Sequence, residues 1–248
     1  AVRKQVLAIY RMFDELKAAH PGLEIESCAS GGGRIDLGMI EHADRFWTSD
    51  NNDALERQSI NRYTTIVIPP ELLGTHIGPT KAHSTARTHA HSFRAITALW
   101  GHAGIEWDLT EASEDELALL KNWADYYKSK RGLLHSGRTV RGDQSESESQ
   151  TYGVVAHDGS EAVYMYAALR PSEFSRPANI RLAGLDPDAQ YEVRLVEPAG
   201  SANAMQLLPP KWYSGVTLSG NLLASLGLRS PVLRPEQAIL IEAKRVAG

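Results

Sequence analysis

Cysteine is nearly absent: the 248 residues contain one, Cys28, so no disulfide framework can form within the chain. Long apolar runs are missing too. None approaches the roughly 20 residues needed to cross a bilayer, which excludes a spanning helix and sets the membrane aside as a partner. Aromatics are sparse at 7%, and there is no excess of positive charge. The formal net charge is −4, which speaks against a nucleic-acid partner, because phosphate binding needs a basic surface. Nor does a leader-like apolar segment open the chain. One reduced cysteine and no leader lead to the expectation of a cytoplasmic protein. The opening residues Ala1-Val2-Arg3-Lys4 already read as helix interior, so preceding sequence is expected.

What is present is the composition of a folded, water-exposed protein: 42% hydrophobic and 23% charged residues. The first half alternates two periodicities. Val2, Val6, Ile9, Phe13 and Leu16 share a helical face, and Pro21-Gly22 stops that helix. Short strands are expected at Leu23–Ser27, Arg45–Ser49, Thr64–Ile68 and Ile105–Leu109, with a helix at Ala54–Arg62. Phe93, Ile96, Trp100 and Ala103 recur at helical spacing. Ser113-Glu114-Asp115-Glu116 has the form of a capping box opening a helix that Gly132 ends. Alternating strand and helix predicts an α/β parallel sheet with crossover helices. The room available suits about four units, the C-terminal half of a (β/α)8 barrel whose usual total is about 250 residues.

The pattern then changes. Asp143–Gln150 is polar and reads as a solvated loop. After it, strand-like runs at Tyr152–Ala156, Ala162–Ala168, Asn179–Leu182, Tyr191–Val196 and Ala238–Ala243 are separated by turn signals such as Asp158-Gly159 and Pro198-Ala199-Gly200. An antiparallel β-sandwich is expected. Two domains follow, residues 1–135 and 136–248.

Candidate chemistry lies where strands end, since the C-terminal strand ends of a barrel form its active face. The first such end is Glu26-Ser27-Cys28-Ala29-Ser30-Gly31-Gly32-Gly33-Arg34, almost bare of side chains, where backbone amides could approach a ligand. From pattern alone the bland readings, a flexible turn or a phosphate cradle, come before sugar binding, although no Gly-Lys-Ser/Thr follows to complete a phosphate loop. The second is Phe46-Trp47-Thr48-Ser49-Asp50-Asn51-Asn52-Asp53, which sets a carboxylate beside an aromatic ring that could stack on a sugar. On pattern alone Asp53 reads better as a helix N-cap, and Asp50 equally as a cap or as an acid. The loose spacing of His83, His89, His91 and His102 does not suit zinc, and no metal or other cofactor is expected. Cys28 has no identifiable base to make it a nucleophile.

Taken together, Cys28–Met39 and Trp47-Thr48-Ser49-Asp50-Asn51 resemble the α-galactosidases of glycoside hydrolase family 36. Gly101–Leu109 resembles a later barrel segment of that family, and Leu218–Leu228 with Leu233–Ala238 its C-terminal β-domain. The resemblance implies a retaining mechanism on α-galactoside oligosaccharides of the melibiose and raffinose class, with Asp50 as general acid/base. It implies that Cys28 and Gly31 lie against the galactose ring near its 2-hydroxyl, and that Trp47 and Asp53 are pocket walls. Cys28 favours galactose over N-acetylgalactosamine. The family's nucleophile stands in a Lys-Trp-Asp motif on an earlier strand, and no Lys-Trp-Asp occurs here; Trp107-Asp108 comes too late in the order. The resemblance thus implies an incomplete, inactive C-terminal portion. Its partner would be the missing N-terminal half of the enzyme, in a full protein expected to be a homo-oligomer. A galactosyl transferase of the same fold and a non-catalytic carbohydrate-binding module are the alternatives. A half barrel is also expected to expose an apolar inner face and to self-associate.

Overall fold

The computed structural model describes residues 1–142 and 148–246. Helix α1 (Val2–Ala19) leads into β1 (Glu26–Ser27), followed by β2 (Arg45–Trp47), α2 (Ala54–Thr64), β3 (Leu73–Ile77), α3 (His91–Thr97), β4 (His102–Ile105) and α4 (Glu114–Ser136). The four strands form one parallel sheet in sequential order, β1-β2-β3-β4. Register divides their side chains cleanly. Phe46, Leu73 and Ile77 share the face that the helices cover, and each is buried. Phe13 of α1 meets Phe46 and Leu73 there, while Phe93, Ile96 and Leu99 pack with Ile77. On the other face stand Glu26, Arg45, Trp47, Gly74, His76 and His102.

That second face corrects one expectation. It is polar, not apolar: Arg45 pairs with Glu24 and Glu26, and His76 lies across Gly104, where a Cβ would meet the imidazole at 2.5 Å.

Several element boundaries also differ from expectation. Thr64–Ile68 is not a strand. Helix-type bonds run from Thr65 N to Asn61 O and from Ile68 N to Thr64 O, so the helical path continues until Pro69-Pro70 breaks it. The β-branched residues Ile66 and Val67 are exposed on that turn, and the third strand comes later. The fourth strand ends at Ile105, where it was expected to begin, because Ala103 pairs with Thr75 and belongs to the sheet. Gly132 does not end α4; it sits on the helix surface with open space around it, and the chain turns out at Gly137. The capping box is present, with Ser113 Oγ accepting from Glu116 N at 3.3 Å and Glu116 Oε2 accepting from Ser113 N at 3.0 Å.

The remaining strands are β5 (Arg138–Arg141), β6 (Ser149–Val155), β7 (Glu161–Ala168), β8 (Gln190–Val196), β9 (Val216–Ser219) and, after the short helix α5 (Gly220–Ser225), β10 (Gln237–Arg245). They form a single antiparallel sheet of order β5-β6-β7-β10-β8-β9. The sandwich expectation holds in its antiparallel character, but the described strands make one sheet. The layer facing it is built of turns, including the lone bridges Ile180–Leu228 and Ala204–Leu233; Asn179–Leu182 contributes a bridge where a strand was expected. Of the expected solvated loop Asp143–Gln150, residues 143–147 lie outside the described residues. Ser149 and Gln150 already belong to β6, and Gln150 is buried.

Both faces of this sheet are covered, which explains the unbroken apolar run of β7. Val163, Met165 and Ala167 face α3 and α4, together with Ala238 and Leu240 of β10. Tyr164 and Tyr166, with Ile239 and Ile241, face the turn layer around Leu182, Trp212 and Leu228. The buried aromatics there have partners for their polar tips: Tyr164 Oη donates to Ala183 O, and Trp212 Nε1 to Arg229 O, both at 2.8 Å. Side chains bridge the two sheet units. Gln58 Nε2 donates to Thr97 Oγ1 at 2.7 Å while its carbonyl accepts from Gln150, and Arg141 Nη2 donates to Thr65 O at 2.7 Å.

Two substitutions in α4 have opposite expected signs. Ser113→Ala removes the cap and is expected to cost about 1 kcal/mol. Gly132→Ala enters open space within a helix and is expected to gain about 0.5–1 kcal/mol. Urea unfolding midpoints at unchanged slope measure both.

Candidate active site

The loops leaving β1 and β2 lie against each other so closely that side chains are excluded from the contact. Gly31 adopts φ +73°, and a Cβ there would meet Ser49 Cα at 2.6 Å and Asp50 N at 2.8 Å. At Gly32 it would meet Thr48 O at 2.6 Å. Glycine is needed here for close approach and, at Gly31, for backbone shape as well. Arg34 draws the same loop in, its Nη1 donating to Cys28 O at 2.6 Å. Cys28 is exposed at the mouth of the loop.

Trp47, at the end of β2, is buried between two neighbours. The His76 ring stacks on it at 4.2 Å, and the Arg57 guanidinium lies 4.3 Å from its centroid. Its indole Nε1 donates to Asp50 Oδ1 at 3.0 Å. Asp50 itself is exposed, so one carboxylate oxygen is oriented by the ring while the group faces solvent. Arg57 shapes the loop between them. Its Nε donates to Asn51 O and its Nη1 to Thr48 Oγ1, both at 2.6 Å, and its Nη2 reaches Ser49 O. Burial pulls the guanidinium pKa down to about 10, opposed by the negative charges of Glu106 and Asp50. Sequence reasoning missed Arg57, His76 and Glu106. An arginine one turn into a helix and a histidine in a strand carry no local pattern that separates them from surface residues.

Asp53, expected as a pocket wall, lies in the interior of the fold. Its side chain is fully buried, and it is the N-cap of α2, accepting from Leu55 N at 2.8 Å and Glu56 N at 3.2 Å. His89 Nε2 lies 3.1 Å from Oδ1, Arg87 Nη1 donates to Oδ2 at 3.3 Å, and Thr85 Oγ1 donates to the same oxygen. Both of its oxygens are engaged from within. The helix-cap alternative describes it.

The other histidines go separate ways. His91 is partly buried near Trp107, and burial, reinforced by Arg94, pulls its pKa down to about 4. His102 Nε2 lies 2.7 Å from Glu71 O. Among the described residues, no three His, Cys, Asp or Glu side chains converge to hold a metal ion. Asp108 is a cap, accepting from Thr110 N at 3.0 Å.

Gly31→Ala is expected to cost about 1–3 kcal/mol by overpacking alone, read from a lowered urea midpoint. A pH dependence follows from Asp53. Burial acts to raise its pKa, but the Thr85 hydroxyl, the Glu56 amide and His89 outweigh it and hold the carboxyl below its ordinary value. A depressed folded-state pKa contributes stability that is full above the unfolded value near 4 and is lost as pH falls through the lower folded value. Asp53→Asn should therefore be less stable at neutral pH and should flatten the fall in stability below pH ~4, as measured by denaturation at stepped pH.

Residues 1–137 match the family model described as Melibiase, and residues 150–242 match the glycosyl hydrolase family 36 C-terminal domain. An α-galactosidase from Escherichia coli is 39% identical over 251 residues, covering 99% of this chain and 36% of that protein. The α-galactosidase AgaA from Geobacillus stearothermophilus is 32% identical over 216 residues, covering 87% of this chain and 29% of that protein. The chain thus spans about a third of the length of the curated relatives it matches. Among solved structures, an α-galactosidase from Lactobacillus brevis aligns at TM-score 0.84 and 26% identity over 98% of this chain and 32% of its own. AgaA in complex with raffinose aligns at TM-score 0.84 and 28% identity, over 97% of this chain and 31% of its own. With more than half of its length matched by one family model and most of the remainder by the other, the chain belongs to the melibiase family of glycosyl hydrolases, with the C-terminal domain of family 36.

Proposed function

We propose that this chain is the C-terminal portion of a retaining α-galactosidase, with residues 1–135 as half of a (β/α)8 barrel and residues 136–248 as the β-domain packed on it. The observation that carries the reading is the apposition of the Gly31 loop and Asp50 at the ends of adjacent parallel strands, with Trp47 Nε1 donating to the carboxylate. Active groups of barrel enzymes collect at that end of the sheet. Relatives that are themselves α-galactosidases support the reaction class, and AgaA, crystallised with raffinose, supports the oligosaccharide class.

In this reading Asp50 serves twice. As an acid it gives its proton to the glycosidic oxygen as the bond to the leaving group breaks. As a carboxylate it then takes a proton from the water that attacks the galactosyl-enzyme. The indole of Trp47 fixes one oxygen and leaves the other to carry the proton. Cys28 and the Gly31 backbone form the floor against which the sugar ring rests, while Trp47 orients Asp50 from its buried place beneath His76. Asp53 acts behind the site, by capping the helix that follows Asp50. No Lys-Trp-Asp stands in these 248 residues, so the covalent nucleophile is taken to come from the remainder of a longer protein.

Hydrolysis of an aryl α-galactoside tests this directly. The 248 residues alone should give no turnover. In a full-length enzyme containing them, Asp50→Asn should lower kcat by about 10²–10⁴-fold, the usual span of general acid–base catalysis. Turnover by the 248 residues alone would place a nucleophile within them. Unchanged kcat in the Asp50→Asn enzyme would remove Asp50 from the mechanism.

A further inference from the structure

The segment between β3 and α3 lies over the Asp50 loop as a strap. Ser84 Oγ donates to Asn51 Oδ1 at 2.6 Å, and the same oxygen accepts from Asp53 N at 3.0 Å. Thr85, Arg87 and His89 all turn inward to Asp53, three residues beyond Asp50. The strap is itself braced, with Ala82 N donating to Arg87 O at 2.9 Å and His89 N to Thr80 O at 3.1 Å.

The last contact in this chain of groups comes from the other sheet unit. His89 is almost wholly buried, its side chain 1% exposed, and both ring nitrogens face carboxylates. Nε2 is 3.1 Å from Asp53 Oδ1, and Nδ1 is 3.1 Å from Glu236 Oε2, at ion-pair distance without full hydrogen-bond alignment. Glu236 immediately precedes β10. It holds φ +59°, a left-handed conformation uncommon for a residue with a side chain, and its N–H is fastened to Ala168 O of β7 at 2.8 Å. Strain of this kind persists only where surrounding structure enforces it. The enforcing structure is the β7–β10 seam, the centre of the antiparallel sheet.

We propose that the C-terminal sheet unit positions the catalytic-acid loop through Glu236, with His89 as the link and Asp53 as the receiver. His89 stands between the two carboxylates, Nε2 within hydrogen-bond distance of Asp53 and Nδ1 at ion-pair distance from Glu236. The charged groups around the link are Asp53, Glu236, Arg87 and Glu56, with Arg87 bonded to Glu56 at 2.8 Å. Glu236 and His89 are positioning residues; neither touches the substrate. The role assigned to them rests on Asp50 being the acid, but the mechanical link does not.

Two readouts separate those parts. The first is backbone hydrogen exchange on this chain itself. Glu236→Ala should speed exchange across residues 49–56 while leaving β7 and β10 protected, and His89→Gln, which keeps a single amide donor group, should do so less. Unchanged exchange at 49–56, or a rise throughout the molecule, would overturn the link. The second is a leaving-group comparison in a full-length enzyme containing this chain. Misplacing an acid hurts substrates whose leaving group needs the proton. Glu236→Ala should therefore lower kcat on an alkyl α-galactoside by about tenfold, and on a p-nitrophenyl α-galactoside by about twofold, with KM little changed. Equal losses on the two substrates would sink the positioning role. If the parent enzyme turned over neither, the α-galactosidase reading would fail, while the exchange experiment would still decide whether the sheet unit holds the loop.

Discussion

A buried guanidinium holds the shape on which the site depends. Arg57 sits under the Thr48–Asn51 loop, donates to three of its oxygens and covers the Trp47 ring. A loop of four residues has little means of fixing its own path; a rigid planar donor from the following helix supplies one. Burying that charge is costly, and the pull on its pKa toward 10 is the sign of the cost. Three acceptors, an aromatic face and the nearby charges of Glu106 and Asp50 offset it. The helix that carries Arg57 is in turn started by Asp53, so the cap, the cation and the exposed Asp50 form one dependent series.

Close packing at the neighbouring strand completes that series. The Gly31 and Gly32 backbones bear directly on Thr48–Asp50, leaving no space for a methyl group. One side of the loop is therefore held by hydrogen bonds and the other by hard contact. Asp50 and Cys28 are both left exposed to solvent.

How much of this was legible in the amino-acid sequence varied with the range of the interaction. The parallel first half, the antiparallel second half, the Ser113 cap and the two loop motifs all have local signatures, and the structure bears out the two sheets and the cap. Propensity misled where hydrogen bonding and chain breakers decide the path. Ile66 and Val67 look like strand residues but sit on the exposed turn after α2, because Pro69-Pro70 and the Asn61 and Thr64 carbonyls decide the path. The local pattern already favoured Asp53 as a helix N-cap, and only the resemblance placed it at the pocket wall. What the local pattern could not show is that Thr85, Arg87 and His89, more than thirty residues away, close over the same carboxylate. The polar open face of the first sheet has the same origin: which residues share a face depends on register, and strands of two to five residues are too short to show alternation.

The two faces of β7 and β10 differ in size as well as in neighbours. One side presents Tyr164 and Tyr166 to the turn layer, and the other presents Val163, Met165 and Ala167 to the helices. A slip of one residue would carry tyrosines into a space cut for aliphatic side chains, stranding their hydroxyls, and would leave holes where the rings had been. Misregistered pairings are thus penalised twice, once by volume and once by polarity. Register along this seam is therefore closely specified, and Glu236, whose N–H is bonded to Ala168 O at its end, takes its position from it.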